Sequence, residues 1–509
     1  MTRNRSFARI TAALLFAFVA AVPVFAAHGT ADFSHIVALG DSYTAGFSNG
    51  SLNERHQIYG PAAIFAQQTG ATLCQPNATA TTDCFAQPLV TWPGIPGELQ
   101  LTSPSLTGVV AAPGNGVPVM TGFGRPYNNL AVPGAMLYDI LNTKGTETQP
   151  VTFEQGTPYP QFILRGLGSA TAQAAAQHPT FVLAWIGGDD FFLAATSGSA
   201  KDCGTSPPFV QCLTAVDQFK TQYAAVLDAI IAANPNAGFV VGDFPAAVFT
   251  QMPYTSLIPA VVLDTTLKPV LNNGQPIPLF GIVNGAPAGL PLGSTVLLPS
   301  ATKLLSGTGI PPQLASLPPF NQLPNAGKPL ADSDVLTPAE QAAIGARITA
   351  INAAIKDVAS ARNIPVADVS GLFTRLATNK VSVAGVPITT AYITGGAFGL
   401  DGNHLTDLGY TLLANEFIKA TNSAYGTHIP LAPTSRFLQN NDQATADALS
   451  GNNLTAIPTF SAEAVKVLNL WNTMPGQKHF RSRHDDDGGL IGSGTFTGPG
   501  QTVGSGGKQ

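Results

Sequence analysis

Charged side chains are scarce in this 509-residue chain: Asp, Glu, Lys and Arg make up 10% of it, against about 25% in an ordinary globular protein. The 24 Lys and Arg are spread thinly among 29 Asp and Glu. No basic stripe or Arg-rich helix arises, so a nucleic-acid interface has no support. Cysteine is sparse too, four in all, with none in the C-x-x-C spacing of a structural metal site. Past the N-terminal segment, no apolar run reaches the roughly 20 residues that a membrane span needs. Ser, Thr, Asn, Gln and Gly must therefore cover the surface. Hydrophobic residues, 45% of the chain, allow a sizeable core.

Residues 1–26 read as a secretory signal peptide. Arg3, Arg5 and Arg9 make a basic start, an apolar run follows from Ala12 to Val22, and Val24-Phe25-Ala26 offers small residues for cleavage. No Cys follows that run, so neither a lipid anchor nor a stable membrane anchor is expected. The predicted location is secreted or periplasmic. Cys74 with Cys84, and Cys203 with Cys212, form two close pairs. In an oxidising compartment each pair is predicted to close a local disulfide loop.

Continuous apolar stretches at 33–40, 127–132, 180–186, 238–242 and 364–368 read as strands buried on both faces, as in a parallel sheet. Helical patterns lie at 213–233, 337–361 and 406–424. The second opens on Thr337-Pro338-Ala339-Glu340, an N-cap followed by Pro at the first helical position. This alternation predicts a layered α/β fold. Residues 252–335, rich in Pro, Leu, Gly and Asn, read as an insertion that either covers the site as a lid or packs as padding. Residues 426–480 read as an irregular extension of unassigned role with a short helix near 461–472. Residues 481–509 read as a Gly-rich disordered tail.

"HIVALGDSYTAGFSNG", residues 35–50, holds two serines in catalytic-looking settings. Ser48 matches G-x-S-x-G, but that elbow needs a strand immediately before it, and Tyr43-Thr44-Ala45-Gly46 stands there instead. Ser42 follows the strand directly, with Gly40 allowing the tight turn. Of the eight His, His404 stands out. In "GLDGNHLTDLGY" it lies between a loop and a helix, with Asp401 three residues earlier. That spacing lets the carboxylate hold one ring nitrogen and leave the other for a serine. His56 and His428 read as loop residues. The adjacent Asp485, Asp486 and Asp487 lack the alternating spacing of a calcium loop.

Taken together, Gly40-Asp41-Ser42, "NNLAVPGA" at 128–135, "WIGGDDFF" at 185–192 and Asp401-x-x-His404 resemble the ordered blocks of the SGNH, or GDSL, lipase and acylhydrolase superfamily. The resemblance covers about residues 33–425. It implies a flavodoxin-like three-layer α/β/α fold with a five-stranded parallel sheet, and a hydrolase domain over 27–425. It implies ester hydrolysis with neither metal nor organic cofactor: Ser42 as nucleophile, His404 as base, Asp401 as its orienter, and an oxyanion hole from Ser42, Gly134 and residue 189. There this chain departs from the pattern, with Asp189 where the family has Asn. An ionised carboxylate cannot donate to an oxyanion, and losing one such donor costs about 10²–10³ in rate. The expected substrate is a small-molecule or lipid ester. The alternatives are polysaccharide O-deacetylation on the same fold and a binding protein weakened in catalysis by Asp189.

Overall fold

A computed structural model of the chain describes residues 26–438, apart from 80, 82, 102–108, 148–157, 208, 210 and 265–267. The expected signal peptide as far as Phe25, the expected helix near 461–472 and the expected Gly-rich tail lie outside the described residues.

The central sheet is parallel, with neighbours in the order β1 (Ile36–Gly40), β2 (Phe181–Trp185), β3 (Gly238–Gly242) and β4 (Val366–Ala367). Ile36 is in register with Phe181, Phe181 with Gly238, and Val366 with Val241. Every residue of β1, β2 and β3 is buried, as their uninterrupted apolar sequences predict.

The expected fifth strand at 127–132 is not formed as a strand. The segment runs parallel to the free side of β1, giving the Leu130 N–H to Ala38 O at 2.9 Å and the Val132 N–H to Gly40 O at 3.1 Å, but it counts as a single bridge, Ala38 to Asn129. Its side chains explain this. The Asn128 side chain donates to Ile36 O at 2.8 Å, the acceptor that its own N–H would take in a ladder, while that N–H goes to Ala86 O at 2.8 Å.

Helices alternate with the strands. After β1 come α1 (Ser42–Ala45) and α2 (Pro61–Gln68); before β2, α3 (Leu137–Asn142) and α4 (Ala170–Ala176). Between β2 and β3 lie α5 (Asp189–Thr196) and α6 (Val216–Ala233), and before β4 lies α7 (Pro338–Ser360). After it come α8 (Val369–Ala377) and α9 (Asp407–Tyr425). On one face α3, α4, α6 and α7 pack together; on the other, α2, α8 and α9 do. In α7, Thr337 accepts the Glu340 N–H while Glu340 accepts the Thr337 N–H at 2.8 Å, a reciprocal cap. Its buried Ile344, Ile348, Ile351 and Ile355 follow a helical stripe. Among the described residues no helix is long and apolar enough to cross a membrane.

Both disulfides form as paired in the sequence, Cys74–Cys84 and Cys203–Cys212. The region 252–335 holds more order than its composition predicts. Ile258–Pro259, Thr295–Val296 and Val335–Leu336 make a small antiparallel sheet. Leu257, Val262, Leu279, Leu290 and Leu330 form a second hydrophobic cluster, which Tyr392, Ile393 and Leu400 join from outside the insertion. At the other end of the body, residues 426–438 run back over α9. Asn415 and Asn422 hold Ala432 and Ile429, and Phe437 packs edge-on to Tyr59.

Leu330 is fully buried in that second cluster. Leu330→Ala is expected to lower unfolding free energy by about 2–5 kcal/mol in urea titrations, the usual cost of a cavity at a packed site. A loss below about 0.5 kcal/mol, the level of a surface substitution, would show that the second cluster is not tightly packed.

Candidate active site

In an open α/β sheet, groups that meet substrate gather outside the carboxyl ends of the strands. Ser42 stands there, first residue of α1, two positions after the end of β1. Asp41 caps that helix: its carboxylate accepts the Tyr43 N–H at 3.0 Å. Burial pushes the Asp41 carboxyl up to about 6, against the pull of the Tyr43 and Gly188 N–H groups and of His404. The Ser42 N–H makes no hydrogen bond among the described residues, as expected of a first-turn helix donor.

The His404 Nδ1–H donates to Asp401 Oδ2 at 2.9 Å, and Nε2 accepts from the Ser42 hydroxyl at 2.8 Å. An ionised carboxylate can only accept, which assigns the tautomer. Asp401 also accepts the Gly50 N–H at 2.6 Å, the His404 N–H at 2.9 Å and the Asn403 N–H at 3.0 Å. Burial alone would raise its pKa. The charge and hydrogen bond of His404, with those backbone donors, outweigh burial and hold Asp401 below the usual carboxylate range. The chain Ser42–His404–Asp401 is thus assembled, with both ends of the imidazole engaged.

Two rings wedge His404 in place, Phe47 at 4.6 Å and Tyr43 at 5.2 Å between centroids. The Tyr43 hydroxyl also donates to Asn403 O at 2.8 Å. Gly50 reaches Asp401 because it takes φ 70 right after Asn49 at φ 50, a left-handed pair that Asn-Gly adopts readily. Nothing marked Gly50 as a partner of Asp401 beyond that dipeptide. Ser48 lies elsewhere: it is fully buried and its hydroxyl donates to Leu405 O at 2.8 Å. It tethers the histidine loop from behind.

Gly134 occupies a turn closed by Ala135 N–H to Val132 O, with Pro133 before it and φ 82 at the glycine. Pro then Gly with positive φ is the pattern of a type II turn. The turn continues the segment hydrogen-bonded to Gly40, which brings it to the same edge as Ser42, and the Gly134 N–H makes no hydrogen bond among the described residues. Asp189 opens α5 just beyond β2 and is buried. Its charge is among those that, after burial, Asp401 and Asp41, raise the Tyr43 phenol. Asp190 turns the other way. It accepts the Leu137 N–H at 2.8 Å and the Thr214 hydroxyl at 2.6 Å, and so holds α3, and the Gly134 turn ahead of it, against α5.

No family model matches the chain, and no curated protein matches it in sequence. It is similar to solved structures described as a GDSL-like lipase from Parabacteroides merdae (10% identity, covering 79% of this chain and 98% of that one, TM-score 0.29) and phospholipase A1 from Streptomyces albidoflavus (14%, 78% and 100%, TM-score 0.29). An extracellular lipase from Streptomyces rimosus is similar as well (15%, 76% and 98%, TM-score 0.27). At these TM-scores the likeness carries no argument of its own.

Burial pushes the Asp190 carboxyl up to about 7, despite its bonds to Thr214 and Leu137. A carboxyl raised in the folded state contributes stability that is present below the unfolded pKa of 3.8 and lost as pH rises through about 7. Asp190→Asn does not titrate. The stability difference between wild type and Asp190→Asn is therefore expected to shift against wild type from pH 4 to pH 7.5 in urea titrations. A difference constant over that window would show that Asp190 stays ionised throughout.

Proposed function

We propose that this chain is an exported serine ester hydrolase of the SGNH/GDSL type, acting on acyl or lipid esters through an acyl-enzyme. One observation carries the reading: the Ser42 hydroxyl, His404 and Asp401 form an unbroken hydrogen-bonded chain, 2.8 and 2.9 Å, at the carboxyl edge of a parallel sheet.

In the proposed reaction Ser42 Oγ attacks the ester carbonyl as its proton passes to His404 Nε2. Asp401, kept ionised by its backbone donors, stabilises the imidazolium. The tetrahedral oxyanion is held by the N–H groups of Ser42 and Gly134. Asp189 adds a donor only in its protonated form. The alkoxide leaves with the proton from His404. Water, deprotonated by the same imidazole, then releases the acid and regenerates Ser42. The side chains named need neither a metal nor an organic cofactor for any of these steps.

The lipid or acyl preference is supported by the insertion, whose apolar cluster reaches Leu400 beside Asp401. Export is supported by the basic and apolar start of the sequence and by two formed disulfides. The proposed domain arrangement is a signal peptide at 1–26 and a hydrolase domain at 27–425 that includes 252–335.

A fluorophosphonate probe reacts with activated serines. It is expected to label wild type and Ser48→Ala and to leave Ser42→Ala unlabelled. Labelling of Ser42→Ala at Ser48 would reverse the assignment.

A further inference from the structure

His56 is buried far from any role that its sequence position announces. Both of its ring nitrogens face carboxylates: Nδ1 lies 2.7 Å from Asp407 Oδ1 and Nε2 lies 2.9 Å from Glu98 Oε1. Both carboxylates are themselves buried. Since carboxylates only accept, both nitrogens must donate, and the ring is an imidazolium.

The two carboxylates lead to opposite ends of one loop. Glu98 Oε1 accepts the Asn49 amide at 3.0 Å, and the Asn49 carbonyl oxygen accepts the Leu400 N–H at 2.8 Å. Gly50, the next residue, gives its N–H to Asp401 Oδ2. Asp407 is the first residue of α9, three positions after His404. One buried cation therefore braces the loop just before Asp401 and just after His404.

We infer that His56 is a positioning residue for the proposed esterase site: an imidazolium clamp that, through Glu98–Asn49 on one side and Asp407 on the other, fixes the loop presenting Asp401 and His404 to Ser42. The inference rests on the esterase reading. The charged groups around the ring are Glu98 from the 93–98 loop, Asp407 from α9, and Glu54 and Arg55 on its own short helix. Burial opposes the charge on His56, but the two carboxylates and their hydrogen bonds outweigh burial and raise the ring to about 10. Deprotonation would leave a lone pair facing a carboxylate and release one end of the loop. A displacement of about 1 Å at such a site costs up to about 10²-fold in rate.

Two variants test the clamp. Glu98→Gln removes one of the charges that hold the proton on His56. Asn49→Gly keeps the left-handed backbone but cuts the link to Leu400. With p-nitrophenyl acetate, kcat of wild type is expected to stay level to about pH 9, while that of Glu98→Gln falls within about pH 7–9, a shift of about one unit or more. Asn49→Gly is expected to lower kcat about tenfold or more with KM within about twofold. A merely structural role would lower the urea midpoint without moving the alkaline limb. Both variants folded, with kcat within about twofold of wild type and an unmoved limb, would overturn the clamp. If Glu98→Gln does not fold, Asn49→Gly decides. Absence of wild-type turnover would instead sink the esterase reading. In that case ¹⁵N NMR of the His56 ring decides the clamp: protons on both nitrogens at pH 8 support it, and a neutral ring at pH 8 overturns it.

Discussion

A single 2.8 Å contact joins side chains 362 residues apart, Ser42 and His404, and the rest of the molecule is arranged so that it can hold. The serine rides on the end of a fully buried strand, and its position is set by a parallel ladder in which Gly40 is in register with Trp185. The histidine rides on a loop between the second hydrophobic cluster and α9. Sheet and loop meet only because α9 packs back onto β3 and β4 while Tyr43, Phe47 and Ser48 reach from the serine side to the histidine side. The region 252–335 adds a third support. Tyr254, on its short helix, donates its N–H to Gly402 O at 2.9 Å, directly between Asp401 and His404.

A chain this poor in charge spends an unusual share of it indoors. Asp41, Glu98, Asp190, Asp401 and Asp407 are buried or nearly so near this edge, with His56 and His404 among them. Isolated, each such charge would be costly. The chain handles them in two ways. Asp401, and Glu98 beside His56, are surrounded by donors that keep them ionised. Asp41 and Asp190 are left to burial and pushed upward. The division matches what each group is asked to do. In the proposed reaction the residue that balances a transient imidazolium stays charged, while those that hold turns keep hydrogen-bond acceptors without needing a permanent charge.

The legible parts were those set by local pattern. The cores of four strands, the span of α7 to within a residue at each end, its Thr337 cap and the cysteine pairs could all be read from runs, caps and spacing. The edge segment 127–132 could not, because its apolar residues look like a strand while Asn128 diverts the backbone bonds. The insertion hid its sheet in two-residue strands that leave no period. His56 looked like a loop histidine because its partners, Glu98 and Asp407, lie 42 and 351 residues away, and nothing local encodes them. Asp190 serves the turn before α3 through Leu137, 53 residues away, and nothing local marks it for that.

The account stands or falls on a covalent intermediate at one oxygen. Wild type is mixed with p-nitrophenyl acetate, quenched in acid within the first turnover and digested for peptide mass mapping. The account predicts a burst of p-nitrophenol close to one equivalent of enzyme, with a single acetyl group on the peptide that carries Ser42. Steady turnover with no acetylated peptide, or acetyl on another residue with Ser42 unmodified, would contradict it.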